Sequence, residues 1–101
     1  MIKHLVFFKL AEEAEGNTKV ENILLVKEKL EALKEVIPVV RKIEIFSNHP
    51  LASSDNHDIV LDSEFDSLED LKVYAEHPEH LKVGEFIAKV RTGRVAIDYQ
   101  F

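Results

Sequence analysis

The run IKHLVFFKL, residues 2–10, is apolar on both of its faces, and this limits the folds open to the chain more than any other feature. Side chains alternate across a strand, so Ile2, His4, Val6, Phe8 and Leu10 share one face, and Lys3, Leu5, Phe7 and Lys9 share the other. The β-branched and aromatic content favours a strand. Apolar residues on both sides need cover on both sides. A chain of 101 residues that is 46% hydrophobic can build one small core, so helices can cover one face only. Loops and long side chains can supply the second cover, or a second subunit can. A monomer of this size rarely exposes a large apolar patch, which favours a homodimer packed sheet against sheet.

The remaining elements follow from local signals. Thr18 with Glu21 three residues on is a capping-box signature, and it opens a helix that runs to Ile37. Val20, Ile23, Leu24, Lys27, Leu30, Leu33, Val36 and Ile37 step by threes and fours, which predicts that they form the buried stripe. Pro38 ends the helix. AEEAEGN before it reads as a polar loop, and SNHPLASSDN as a turn-rich one. Residues 39–47 and 58–65 read as strands, with Ile59, Leu61 and Phe65 on one face of the second. Ser67, with Glu69 and Asp70 behind it, starts another helix whose Leu68, Leu71, Tyr74 and Ala75 face inward. Pro78 begins a further helix to about Lys89. RTGRVAIDYQF closes the chain as a strand with Val95, Ile97, Tyr99 and Phe101 on one face. The order β-α-β-β-α-β predicts a single α+β domain over 1–101 of ferredoxin-like type. It has a four-stranded antiparallel sheet with helices on one face.

Several function classes are disfavoured. Net charge is −6 with no basic run, so neither nucleic acid nor an anionic membrane is an expected partner. The chain has no cysteine, which removes thiolate chemistry and cysteine-based zinc sites. Lys3, His4 and Lys9 interrupt the first apolar stretch, which is too short for a membrane span and lacks a small-residue cleavage site. The expectation is a cytoplasmic protein.

YAEHPEHLKV, residues 74–83, concentrates the chemistry. Pro is favoured at the first helical position, which puts Pro78 there, His77 at the cap and His80 in the first turn. The positive end of the helix dipole disfavours an imidazolium at His80, and a neutral imidazole is what a general base needs. Zinc wants three or four ligands; His77, His80, Glu76 and Glu79 are close, but no spacing nominates a third ligand from His4 or His57. In the acid–base reading, the bend at Pro78 turns Tyr74 and His80 into one cavity. The hydroxyl then polarises a carbonyl and the imidazole removes an α-proton. In the structural reading, Tyr74 is a core residue, His77 a cap and His80 a hydrogen-bonded neighbour. His4, among apolar side chains, is a satisfied core histidine or the polar group of a pocket that Val6 and Phe8 also line. His49 and His57 read as surface residues.

The segments IKHLVFFKL, SEFDSLEDLKVYAEHPEHLKV and VAIDYQF together resemble the stress-responsive dimeric α/β-barrel family over essentially the whole chain. The sharpest match is Tyr74-Ala-Glu-His77-Pro78-Glu79-His80, with Asp98-Tyr99 further on, supported by Lys3-His4 and Ile37-Pro38. The resemblance implies a subunit that dimerises through its sheet as a dimeric α/β barrel. It is also similar to a plant member, olivetolic acid cyclase, which closes a linear polyketide. That similarity implies Tyr74 orienting or polarising a carbonyl, His80 as base, and His4 lining the pocket of a cofactor-independent lyase or cyclase that takes an apolar small molecule. Plant relatives also imply a magnesium ion on the backbone carbonyls of Lys34, Ile37 and Val40; the last carbonyls of a helix carry partial negative charge. Related dimeric barrels raise haem on His80 or His4. A fold alone does not fix a function, so a non-catalytic small-molecule-binding or stress-related structural dimer stands as the alternative.

Overall fold

The computed structural model describes residues 1–101. Its elements are β1 (Ile2–Leu10), β2 (Glu13–Ala14), β3 (Asn17–Thr18), α1 (Lys19–Glu31), α2 (Leu33–Val36), β4 (Lys42–Ser47), β5 (Ile59–Phe65), α3 (Leu68–Glu76), α4 (Pro78–Val90) and β6 (Arg91–Gln100). The main sheet is antiparallel with strand order β4-β5-β1-β6. This is the ferredoxin-like arrangement, with two additions. The segment read as a polar loop closes into a small hairpin, β2-β3, whose turn holds Glu15 and Gly16 at positive φ. The long first helix divides at Ala32, where Glu35 N–H bonds back three residues to the Ala32 carbonyl at 3.2 Å.

Thr18 caps α1 through a complete capping box, because its hydroxyl accepts from Glu21 N–H and the Glu21 carboxylate accepts from Thr18 N–H. The buried face is the expected stripe at Leu30, Leu33 and Ile37 but departs from it in the first turns of α1. Asn22, Val26 and Leu30 are buried and Leu33 and Ile37 continue the row, while Val20, Leu24 and Val36 are exposed. Apolar residues cover more than half of this helix's circumference, so periodicity does not choose the face. Asn22 belongs to the buried row beside Val26, its side-chain amide donating to the Ala14 carbonyl of β2 at 3.1 Å. Of the inward set on α3, Leu71 and Tyr74 are buried, but Leu68 and Ala75 are exposed.

Cross-strand register sorts the sheet. Val6 pairs with Leu61 and Ala96, and Phe8 with Ile59 and Arg94, on the face under the helices. There Val6, Phe8, Leu10, Ile43, Ile45, Ile59, Leu61 and Phe65 pack with Val26, Leu30, Ile37, Tyr74, Ile87 and Val90 in one core. The outer face has an ionic end and an apolar end. Lys3 bridges Asp62 at 2.8 Å and Glu64 at 2.7 Å, and Lys42 reaches Asp62 at 3.3 Å. Beyond them Leu5, Phe7, Phe46, Val60, Val95 and Ile97 form an apolar surface; Ile97 is 56% exposed and Phe46 51%. No helix is long and apolar enough to cross a membrane.

Candidate active site

The chain path at residues 74–80 sets up the site. His77 caps α4, its Nδ1 accepting from Glu79 N–H at 3.1 Å, with Pro78 at the first helical position. A nitrogen that accepts from an amide bears no proton, so neutral His77 carries its proton on Nε2. His80, one turn in, is held the other way. Its Nδ1 lies 3.0 Å from the Ala75 carbonyl, which can only accept, so Nδ1 carries the proton and Nε2 is left with a lone pair. Burial holds the His80 imidazole below its ordinary pKa, and the charges of His4, Arg94 and His77 push the same way against the Ala75 hydrogen bond. The cause is chiefly desolvation. His80 is thus neutral near pH 7.

His4 enters from β1. Its Nδ1 is bonded to the carboxylate of Asp98, the residue directly opposite on β6. A carboxylate accepts only, so this bond also fixes the proton on Nδ1 when the ring is neutral. The His4 ring meets Phe65 edge-on at 6.4 Å.

His4 and His80 line one cavity of about 150 Å³ with Val6, Phe8, Leu30, Leu61, Ile87, Gly84, Arg91 and Arg94. The structure therefore brings together four of the five side chains expected there: His4, Val6, Phe8 and His80. Tyr74 does not form the wall. It lies behind His80, with ring centroids 4.4 Å apart, and against Phe65 at 5.0 Å. Its hydroxyl is the single buried side-chain polar atom without a hydrogen-bond partner, and burial pushes its pKa upward. Asp98, Arg91, Arg94 and Gly84 are site residues that local spacing does not reveal. Their only sequence signal is the Asp98-Tyr99 pair in the family resemblance.

His57 is half-buried, not a free surface residue; its ring lies edge-on to Phe7 at 6.5 Å in a larger concavity, about 430 Å³, on the outer face. His49 is a surface turn residue, accepting from Leu51 N–H at 3.0 Å. No group of three or more His, Asp or Glu side chains is placed to hold a metal ion. Lys34 lies in α2, and Ile37 and Val40 flank the turn that follows it. Pro38 has no N–H, so the Lys34 carbonyl lacks its helical donor, while the Ile37 carbonyl accepts from Val40 N–H at 3.1 Å and keeps one lone pair.

Comparison with known proteins places this geometry in a family. A crystal structure from Bacteroides fragilis, described as a dimeric protein of unknown function and ferredoxin-like fold, is 41% identical. It superposes with a TM-score of 0.81 over 99% of this chain and 95% of that one. A hydroxynitrile lyase from Passiflora edulis shares the fold at 16% identity, with a TM-score of 0.73 over 97% of this chain and 90% of that one. The stress-response A/B barrel domain-containing protein DABB1 of Arabidopsis thaliana is 26% identical over 98% of this chain and 46% of its own length. The chain spans less than half the length of the curated plant relatives it matches. The profile of the stress responsive A/B barrel domain matches residues 2–101, and the chain belongs to that family.

Proposed function

We propose that the protein is a homodimer in which each subunit runs acid–base chemistry of the lyase or cyclase type on a small carbonyl compound, using its own side chains. The observation that carries this is the fixed tautomer of His80. A neutral imidazole with Nδ1 tied to a carbonyl presents Nε2 as a base, on the wall of a largely apolar cavity. In the proposed step, Nε2 takes a proton from the carbon next to the substrate carbonyl and the electron pair moves onto oxygen, giving an enolate. The enolate carbon then adds to a second carbonyl carbon, whose π electron pair moves onto its own oxygen, and the imidazolium returns the proton to that oxygen. The His4–Asp98 pair is the second proton carrier. Tyr74 positions the His80 ring from behind, and its hydroxyl is buried without a partner.

The dimer follows from the apolar outer face of the sheet and from the dimeric state of the Bacteroides relative. A cytoplasmic setting suits a chain without cysteine. A magnesium ion, if held, would sit on the carbonyls of Lys34, Ile37 and Val40. It would act as a clamp at the end of α2, since hard cations take oxygen ligands.

The test needs no knowledge of the natural substrate. Deuterium wash-in at the α-carbon of small ketones and aldehydes is followed by NMR with the full chain. The native protein is expected to accelerate exchange over buffer, and His80→Gln to remove about a hundredfold or more of that acceleration. No acceleration with any carbonyl compound leaves a non-catalytic binding dimer as the function.

A further inference from the structure

Arg91 and Arg94 are three residues apart, and on an unbroken strand an odd spacing puts side chains on opposite faces. Here both line the cavity. The reason is a bulge: Lys9 pairs with Gly93 but Leu10 with Arg91, so Thr92 is an extra residue that returns Arg91 to the helix side of the sheet. Neither guanidinium is paired with a carboxylate. Arg41, the third arginine, holds Asp66 at 2.7 Å, and Lys3, Lys19, Lys27, Lys42, Lys82 and Lys89 each have a carboxylate within 4.0 Å; Lys9, Lys29, Lys34 and Lys72 have none, and none of these four lines the cavity. Asp98, the carboxylate beside the cavity, is already taken by His4. A chain of net charge −6 thus keeps two unpaired guanidinium groups at the cavity that His4 and His80 also line.

We infer that the ligand of this cavity is a small oxo acid, its carboxylate held by Arg94 and Arg91 and its carbonyl end lying toward His80 and His4. The forked donors of arginine match a carboxylate two bonds at a time. The size limits the rest of the molecule, because about 150 Å³ is well below the roughly 300–1,000 Å³ of pockets for drug-sized ligands. Val6, Phe8, Leu30, Leu61 and Ile87 leave room for a short apolar chain. Both arginines lie on the helix side of the sheet, so a dimer built on the outer face leaves them accessible. The assignment of the carbonyl end rests on the proposed acid–base role of His80; the assignment of the carboxylate end does not.

Titration calorimetry with 2-oxobutanoate and its methyl ester separates the two. The acid is expected to bind about tenfold or more tighter than the ester, the size of one or two charge-assisted hydrogen bonds. Arg94→Gln abolishes that preference, Arg91→Gln reduces it, and Arg94→Lys restores it only in part because the fork is lost. Lys72→Gln, an exposed and unpaired cation on α3, leaves it unchanged. His80→Gln keeps the preference for the acid even where it stops deuterium exchange, so failure of the acid–base reading is distinct from failure of this one. Equal binding of acid and ester, an equal loss in Lys72→Gln, or no saturable binding of the acid overturns the inference.

Discussion

His77 and His80 stand three residues apart and hold opposite tautomers, because one ring nitrogen faces an amide N–H and the other a carbonyl. The first closes a helix end; the second frees Nε2 for chemistry. Tyr74 behind it shows the other side of the same economy. A buried hydroxyl without a partner costs about 1–3 kcal/mol. Tyr74→Phe is therefore expected to raise the melting temperature by several degrees, since about 1 kcal/mol is worth roughly 4–8 °C in a domain of this size. The same change keeps the ring that packs against His80, so carbonyl exchange should persist, and a melting curve beside the exchange assay reads both. A fall in stability would mean that the hydroxyl has a partner. At this scale the sequence shows His77 as cap, Pro78 at the first helical position and His80 in the first turn, because those are local rules. It does not show Asp98 on His4, 94 positions away, since cross-strand register has no local signature. The bulge at Thr92, and with it the pairing of Arg91 with Arg94 on one face, is hidden for the same reason.

Among the elements, α4 carries the clearest conflict between stability and space. Gly84 sits inside the helix, where glycine costs about 1 kcal/mol relative to alanine, and a Cβ built there meets nothing within 4 Å. Packing does not require a glycine at this position, which lines the cavity. Gly84→Ala is expected to stabilise the protein by about 1 kcal/mol, and Gly84→Leu to fill the cavity and weaken 2-oxobutanoate binding while the fold persists. Chemical denaturation and calorimetry measure the two effects, and unchanged binding in Gly84→Leu would remove this cavity as the site. The first helix is a case where pattern was present but insufficient. Its ends were readable from Thr18, Glu21 and Pro38, yet its buried face includes Asn22, bonded to the β2 carbonyl, a contact with a hairpin that the polar loop did not announce.

For the molecule as a whole, the outer face of the sheet and the ion cluster beside it set association and acid response. Ile97→Glu places a charge in the apolar end of that face and is expected to yield monomers, as judged by light scattering; a dimer that survives it uses another surface. In the ionic end, burial pushes the Asp62 carboxyl up, but the hydrogen bonds from Lys3 and Lys42 outweigh it and hold the group below its ordinary 3.8. A depressed carboxylate contributes stability that is present above the unfolded pKa and lost as pH falls through the folded one. His80 works in a different window. Its folded pKa lies below 6.5, so the unfolded chain takes up a proton first and stability declines as pH drops from that value. Melting temperature should thus fall in two stages on acidification. His80→Gln should flatten the upper stage and Asp62→Asn the lower, each leaving the other in place.

The last strand binds these properties together. Along β6, Arg94 and Asp98 face the helices beside Ala96, while Val95, Ile97 and Tyr99 face outward. Alternate codons of one short segment therefore answer to different surroundings, the cavity on the even positions and the outer face on the odd ones. Point mutations can tune either without touching the other. A single-codon deletion after Gly93 shifts every later side chain to the opposite face, turning charges toward the outer face and apolar residues toward the cavity. Variation in this strand should accordingly accumulate by substitution, with changes of length almost absent.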